Sequence, residues 1–323
     1  MRVSTSMIMQ SGLQNLQRQQ AGMLQAQTDI ATGVRLRTAD VDPVAFSQVS
    51  QIADQVGRVE QFLRNNEMAE GKIRSQETRL ATSTNILQRV REISLEAGSI
   101  LQDDTSRQVL SNELSQLRDA LAQQMNAKNE RGEYVFSGTQ ANQQPFDLAS
   151  GDDQLINQAN PAVNAVKVDV GETQQVTINR VASDIFTLDA GDSESPYHDP
   201  SHPAYILSED GPRSALQVID DLKRALNEPP PKVDFYSGSQ KDIDALLGKA
   251  ISARGEMGND LNVLDRLKND QQAWKLANEQ LMSGLRDTNM PEAISRLNEN
   301  LYSLQATQKS MVKIQGLSLF NSI

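Results

Sequence analysis

Apolar residues recur at heptad spacing at both ends of the chain, and this pattern constrains the possible folds more than any other feature. At each end the steps between them alternate between three and four residues, with glutamines filling the remaining places of the register. The positions are Met9, Leu13, Leu16, Met23 and Ile30 at the N-terminal end, and Ile294, Leu297, Leu301, Leu304 and Met311 at the C-terminal end. Each end is therefore predicted to form an amphipathic helix, and the two helices are predicted to pair.

A break follows the N-terminal helix in the stretch "ATGVRLRTADVDPVAF", residues 31–46. Gly33 suits the residue that ends a helix, because glycine adopts the left-handed backbone conformation at little steric cost. Asp42 followed by Pro43 suits the N-cap and the first turn of a new helix. These three residues predict a hinge or corner between the terminal helix and the next one.

Further heptads predict long helices inside the two ends. One runs from Val49 to Leu87 and implies a long rod, since a helix rises about 1.5 Å per residue. A shorter helix is predicted from Leu110 to Met125, and a long partner helix from about residue 240 to residue 287. Such stripes are most often the internal core of a bundle, which is the simpler interpretation of the rod.

Short stretches of alternating β-branched residues characterise the centre of the chain. The stretches "AVKVDV" and "QQVTINR" flank Gly171 and Glu172 as the strands of a hairpin would. The stretch "EYVFSGT" is predicted to be a strand that leads into a turn. Proline-rich runs such as "SPYHDPSHP" and "NEPPPK" predict loops.

The predicted fold class is mainly α: a long antiparallel α-helical coiled-coil rod built from both chain ends, with a smaller β-containing central outer domain. In this layout the chain runs along the rod to the outer domain and then returns along the rod. The predicted domains are residues 1–40 with 290–323 as terminal helices, residues 41–136 with 239–289 as the helical rod, and residues 137–238 as the outer domain.

Composition and charge exclude several classes of function. The net charge is −11 with acidic and basic residues interleaved, so the basic surface of a nucleic-acid-binding protein is missing. No window of 18 apolar residues exists, so no membrane insertion is expected. The opening "MRVSTSMIMQSGLQNL" does not resemble a cleavable signal peptide, so export would need another route. Zero cysteines exclude disulfides, thiolate metal sites and thiol catalysis.

Candidate catalytic and metal-binding residues form no recognisable arrangement. His198 and His202 have the i, i+4 separation of zinc-binding helices, but Pro200 and Pro203 interrupt any such helix. Ser137 precedes a glycine in "YVFSG" and would need a histidine base beside it to act as a nucleophile. We therefore expect no catalytic residue, no metal site and no cofactor.

The chain stops on "MVKIQGLSLFNSI", whose final part carries Leu317, Leu319, Phe320 and Ile323. Leaving these side chains in water costs several kcal/mol, at roughly 1.5 to 3 kcal/mol for each fully buriable one. Isolated helices as short as the terminal ones are also marginal in water unless they pack against something. These apolar faces must therefore be buried either against the core of the chain itself or against another molecule.

Four stretches, in order along the chain, match the patterns of a known family. They are "MRVSTSMIMQSGLQNL", "ATGVRLRTADVDPVA", "NERGEYVFSGTQANQQPF" and "AISRLNENLYSLQATQKSMVKIQGLSLFNSI". At these places the chain resembles the bacterial flagellar hook-associated protein 3 family, the hook-filament junction proteins, which are relatives of flagellin. Four ordered matches in one chain are specific, whereas a single one would be modest.

The resemblance implies a structural protein that forms the junction ring between the hook, at the first hook-associated protein, and the flagellin filament. It implies export to the extracellular flagellum by the flagellar type III apparatus, with a chaperone on the C-terminal segment before export. The terminal helices would form an inner tube, and the outer domain would face the medium. The heptad positions of the two terminal helices, called the seam residues below, would then be buried by subunit packing. Leu317, Leu319 and Phe320 would be buried in the same way.

Three alternatives stay open at this point. A flagellin filament subunit is the main competitor, although "YVFSGT" and "LSLFNSI" look more like the junction protein. A secreted coiled-coil adhesin or effector belongs to a second class, and an unrecognised hydrolase that uses the central domain belongs to a third. Assays with small ester, phosphate and glycoside substrates would expose the hydrolase, and an effector would act on host cells without flagella.

Overall fold

The computed structural model of the chain describes residues 5–98, 104–146, 163–188, 213–227 and 233–320. The elements in chain order are α1 (Thr5–Thr32), α2 (Pro43–Ala97), α3 (Asp104–Met125), β1 (Val166–Asp169), β2 (Gln175–Asn179), α4 (Ala182–Phe186), β3 (Thr187–Leu188), β4 (Arg213–Ser214), α5 (Ala215–Asn227), α6 (Val233–Arg286) and α7 (Met290–Phe320).

The chain divides into two compact units. The terminal unit comprises Met1–Val59 and Gln272–Ile323, and the central unit comprises Glu60–Gln271. The border between the units falls within the helices α2 and α6. The predicted domain boundary at residue 40 lies in the loop after α1, and the one at residue 290 lies at the start of α7. Those predicted domain boundaries stay a prediction.

The hydrophobic core of the described residues lies in the central unit. It is one cluster that runs from Ala69 to Leu264 in the sequence and draws on α2, α3, the β1–β2 hairpin, α5 and α6. Ile73, Leu80 and Leu87 follow each other at heptad spacing on α2 and are at most 1% exposed. This part of the predicted stripe is therefore internal core, because each of its side chains is removed from water by the chain itself.

The predicted hairpin is confirmed, and polar side chains from the long helices hold its turn. Strands β1 and β2 pair in antiparallel fashion, with Asp169 opposite Gln175 next to the turn. Asn65 Nδ2 on α2 donates to the carbonyl oxygen of Asp169 at 2.8 Å, and Gln271 Nε2 on α6 donates to that of Val170 at 2.7 Å. These bonds give the backbone carbonyls next to the turn hydrogen-bond donors from both long helices.

The predicted strand at "EYVFSGT" is wrong. Its backbone makes single bridges, such as Ser137 with Val181, and no ladder. Gly138 adopts a φ of 54°, which turns the chain out of the extended conformation. Phe136 is fully buried and meets Phe186 edge to face, with ring centroids 5.5 Å apart. The stretch therefore packs into the core as an irregular turn.

Helix α5 was not predicted from the sequence. It is strongly amphipathic and packs against α3, with Leu216, Ile219, Leu222 and Leu226 almost fully buried. Proline-rich runs that predict loops flank this segment on both sides. A helix of 13 residues is also too short to show a long heptad repeat, so the sequence pattern does not indicate it.

A buried ion network connects this segment to the long helix α6. Arg213 on β4 pairs with Asp221 on α5 and with Asp242 on α6, where the Nη1–Oδ2 distance is 2.8 Å. All three residues are at most 2% exposed. Charges removed from water in this way require their partners, because an isolated buried charge is strongly unfavourable.

The predicted fold class is confirmed as mainly α, with long helices from both chain ends and a small β-containing region between them. Helix α2 has 55 residues and α6 has 54, which corresponds to about 80 Å each. The predicted pairing of the two end helices is also confirmed, since α1 packs against α7.

Candidate assembly surface

Helices α1 and α7 meet along a narrow face that carries small and polar side chains. Gly22 of α1 lies so close to α7 that an added Cβ would be 3.3 Å from Nδ2 of Asn300. Gln19 Nε2 donates to Ser303 Oγ at 2.6 Å, and Thr307 Oγ1 donates to Gln19 Oε1 at 3.0 Å. Such polar contacts within a helical seam specify the register of the pair more than they stabilise it.

The predicted seam residues lie on this helix pair, and none of the nine described ones is buried. Leu13 and Ile294 are 51% and 47% exposed. The remaining seven are half-buried: Leu16, Met23, Ile30, Leu297, Leu301, Leu304 and Met311. Met9, Leu317, Leu319 and Phe320 belong to α1 and α7, but their side chains lie outside the described part of the structure. The assignment of all these residues to subunit packing stays a prediction.

Exposed apolar side chains are concentrated in the terminal unit. Of the seventeen large apolar side chains that are exposed among the described residues, thirteen belong to this unit. They are Met7, Leu13, Leu24, Val41, Val44, Phe46, Trp274, Leu276, Leu281, Met290, Ile294, Tyr302 and Val312. Among its described residues, by contrast, the buried apolar ones are Ala26, Leu36, Ala45, Val56 and Ala293. The terminal unit thus resembles an interface more than a closed domain.

Of these thirteen exposed residues, the predicted heptad register includes only Leu13 and Ile294. Leu24, Tyr302 and Val312 are 55%, 73% and 68% exposed and lie outside the predicted heptad register. A heptad template selects positions at strict steps of three and four residues, so it passes over apolar residues that lie beside the seam. The available signal was the spacing of Leu13 and Leu24, since eleven residues are close to three full helical turns.

The loop after α1 and the loop before α7 are joined by backbone hydrogen bonds at the predicted hinge. Gly33 has a φ of 70° where α1 ends, and its carbonyl oxygen accepts a bond from Thr288 N at 2.8 Å. The amides of Arg35 and Leu36 both donate to the carbonyl oxygen of Arg286, at 2.9 and 3.1 Å. The two terminal helices are therefore joined to the long helices at a single place.

A buried carboxylate strengthens this junction. Asp29 on α1 is 4% exposed, and its Oδ1 lies 2.9 Å from Nη2 of Arg37. Gln25 Nε2 donates to the same oxygen at 3.0 Å, and Thr288 Oγ1 donates to the Asp29 carbonyl at 3.1 Å. The sequence gives no hint of this role, because an aspartate in a glutamine-rich helix is normally interpreted as solvated.

The start of α2 has the capping arrangement that the sequence indicates. Asp42 Oδ1 accepts hydrogen bonds from the amides of Val44 at 3.1 Å and Ala45 at 3.0 Å, and Pro43 is the first helical residue. In the same loop a hydrogen bond from the Thr38 side chain lowers the pKa of Asp40. Movement about Gly33, Asp42 and Pro43 as a hinge stays a prediction.

The candidate metal-binding and nucleophilic residues of the sequence form no site among the described residues. No group of three or more histidine, aspartate or glutamate side chains in these parts of the chain could hold a metal ion. Ser137 is fully buried, and its hydroxyl donates to the carbonyl oxygen of Tyr134 at 2.9 Å. His198 and His202 lie outside the described residues. No helix in the described ranges is both long and apolar enough to cross a membrane.

Known proteins share sequence and fold with this chain. Residues 3–141 match the model of the bacterial flagellin N-terminal helical region. The chain is 26% identical to flagellar hook-associated protein 3 of Salmonella typhimurium, with 99% of each chain covered. It is 24% identical to flagellin of Bacillus subtilis, over 88% of this chain and 86% of that one. The crystal structure of flagellar hook-associated protein-3 from Legionella pneumophila has a TM-score of 0.59 at 17% identity, covering 73% of this chain and 98% of that one.

The chain is thus similar to flagellin-like proteins, in its N-terminal region by the matched family and along most of its length by the curated relatives. Within this class the chain is similar to flagellar hook-associated protein 3 along its whole length. The resemblance predicted from the sequence is thereby confirmed.

Proposed function

We propose that this chain is a structural protein of the bacterial flagellum that forms the junction ring between the hook, at the first hook-associated protein, and the flagellin filament. The observation that carries the proposal is the concentration of exposed apolar side chains in the terminal unit. Each such side chain gains roughly 1.5 to 3 kcal/mol when it is fully buried. Neighbouring subunits bury the apolar side chains that the terminal unit leaves exposed.

The partners of the proposed protein are its own copies in the ring, the first hook-associated protein and flagellin. The α1–α7 pair forms the inner tube, where the half-buried seam residues face neighbouring helices. A flagellar chaperone covers the C-terminal segment before export through the type III apparatus to the extracellular flagellum. The protein acts by assembly and has no enzymatic role.

A flagellin filament subunit is the second candidate function, because a flagellin is also similar to most of the chain. The junction role is favoured since hook-associated protein 3 is similar over nearly the full length of both chains. The two functions differ in copy number and position, because filament subunits repeat along the whole filament and junction subunits occur only next to the hook.

Deletion of residues 312–323 tests the proposed function. We expect the truncated protein to keep the helical circular dichroism signal of the central unit, because the core runs from Ala69 to Leu264. In a strain that lacks the intact gene, the truncated protein should fail to attach filaments, and flagellin should be secreted into the medium. Normal motility with the truncated chain would contradict the role of the tail in subunit contacts.

A further inference from the structure

Two stripes of exposed, uncharged residues lie on the parts of α2 and α6 that belong to the terminal unit. The residues of each stripe follow one another at steps of three or four, so they occupy one face of their helix. The α2 stripe consists of Phe46, Ser50, Ala53 and Gly57, and the α6 stripe consists of Trp274, Ala277, Leu281 and Gly284.

The two stripes combine large apolar side chains with small residues. Trp274 and Leu281 are 38% and 55% exposed, whereas a Cβ added to Gly57 would meet no atom within 4 Å. A glycine inside a helix lowers the stability of that helix relative to alanine. No neighbour in the described part of the chain requires a glycine at this place. The α2 stripe therefore leaves room for a large side chain of another molecule.

The helices α2 and α6 run antiparallel to each other. The amide of Leu36, just before α2, donates to the carbonyl oxygen of Arg286 at the end of α6, at 3.1 Å. Further along, Asn66 Nδ2 on α2 donates to Gln271 Oε1 on α6 at 2.9 Å. The residue numbers thus increase on one helix while they decrease on the other.

The stripes lie on opposite sides of this helix pair. The less exposed residues of the two helices, such as Val56 and Met282, mark the faces that meet within the chain. Gly57 follows Val56, whereas Leu281 precedes Met282, and one residue corresponds to a rotation of about 100°. In an antiparallel pair these rotations point the stripes in opposite directions. The two stripes of one chain therefore cannot contact each other, but those of two neighbouring chains can.

The distribution of charge also favours contact between copies through the terminal unit. In sequence this unit has ten lysines and arginines against eight aspartates and glutamates, whereas the central unit has 21 against 34. Central units of neighbouring copies repel each other, while nearly neutral terminal units can pack closely. Neither stripe contains a charged residue.

We propose that the α6 stripe of one copy packs on the α2 stripe of the next copy in the junction ring. Leu281 fills the space beside Ala53 and Gly57 of the next copy, and Phe46 of that copy packs beside Gly284. The contacting surfaces differ, so the contact is head-to-tail and closes into a ring when the rotation between copies allows it. The inference rests on the proposed function, which places copies side by side.

The size of the contact fits a ring better than a free dimer. Four residues on each helix bury less than the roughly 1,200 to 2,000 Å² of stable complexes. The contact therefore acts together with the other subunit contacts of the ring.

Disulfide crosslinking in assembled flagella tests this inference, because the chain has no cysteine of its own. The stripe pair combines Gly57→Cys with Ala277→Cys, since both residues are small and let the two backbones approach. The matched control pair combines Gln51→Cys with Ser283→Cys, two exposed positions on the opposite faces of the same helices.

After mild oxidation of sheared flagella, the stripe pair should give a ladder of bands at multiples of 35.6 kDa on a gel without reductant. The ladder should continue beyond two copies, because a head-to-tail contact links each copy on both sides. The control pair should stay at the mass of one chain.

Gly57→Leu gives a second measurement that separates folding from assembly. It should raise the urea midpoint of the purified chain, because leucine has a higher helix propensity than glycine. It should also lower the number of attached filaments at least about fivefold, because it overfills the space that receives Leu281. Gly71→Leu is the control on the same helix: Gly71 is exposed in the central unit, with no atom within 4 Å of an added Cβ. It should raise the midpoint and leave the filaments attached.

Several outcomes would overturn the inference. With the stripe pair present in the flagella, they are no ladder, equal ladders from both pairs, or a series that stops at two copies. Full filament attachment with Gly57→Leu would overturn it as well. Absence of the unmodified chain from the flagella would instead refute the proposed function, and with it this inference.

Discussion

At the scale of single residues, close backbone packing explains why the "YVFSGT" stretch is not a strand. Asn179 Nδ2 donates to the carbonyl oxygen of Gly138 at 2.7 Å, and Thr139 N donates to that of Asn164 at 3.0 Å. A Cβ added to Gly138 would lie 2.5 Å from the Asn164 carbonyl oxygen and 2.9 Å from Val181 Cγ2. The glycine is therefore required both by its positive φ and by the lack of space.

Gly138→Ala should lower the free energy of unfolding by about 2 to 4 kcal/mol, because it combines left-handed backbone strain with overpacking. Urea unfolding followed by circular dichroism measures this change. Gly132→Ala is the matched control: its φ is 79°, but no atom lies within 4 Å of the added Cβ. The control should cost only about 1 kcal/mol. Equal losses in the two variants would show that close packing at Gly138 is unimportant.

The buried ion network around Arg213 gives a second prediction at this scale. Asp242→Asn should lower the free energy of unfolding by about 3 to 5 kcal/mol, because it removes one partner of a buried charge pair. Asp244→Asn is the matched control two residues along α6: Asp244 pairs with Arg91, and the side chains are 44% and 42% exposed. That exposed pair should contribute less than about 1 kcal/mol. A small effect at Asp242 would mean that solvent reaches the network.

At the scale of elements, hydrophobic periodicity and the residues that start or stop a helix were sufficient to predict the long helices and the hairpin. The stop at Gly33 and the cap at Asp42 follow from side-chain chemistry that acts within a few residues, so the sequence alone indicates them. Helix α5 and the Arg213 network depend on residues far apart in the sequence, such as Arg213 and Asp242. No local sequence pattern records such contacts.

The terminal helix pair carries the prediction that belongs to this scale. Changing both Leu301 and Leu304 to Asp removes up to roughly 3 to 6 kcal/mol of apolar burial per subunit and adds the cost of desolvating charge. The purified variant should keep nearly its full helical circular dichroism signal, because both residues are only half-buried within the chain. In a complemented strain the variant should fail to attach filaments.

The matched control changes Gln305 and Lys309, two exposed residues on α7 off the predicted seam, to Asp. This control should support motility. If the seam variant instead unfolds in solution, its leucines belong to an internal core. If it swims normally, the assignment of α7 to an inner tube is wrong.

At the scale of the whole molecule, the two units differ in how they use their apolar residues. The central unit closes a core around Phe136, Phe146 and Phe186, all fully buried. The terminal unit leaves large apolar side chains such as Tyr302 and Trp274 exposed. This division suits a protein whose middle folds on its own and whose ends are covered in an assembly. The sequence indicated the amphipathic ends, but only the structure distinguishes an exposed apolar face from a core face.

The position of the protein on the flagellum tests the junction role most directly. Antibodies against the purified chain are applied to sheared flagella and located by electron microscopy with gold particles. We expect label at one place on each flagellum, between the hook and the first part of the filament. Label along the entire filament would identify a flagellin instead, and flagella without label would contradict a structural role in this organelle.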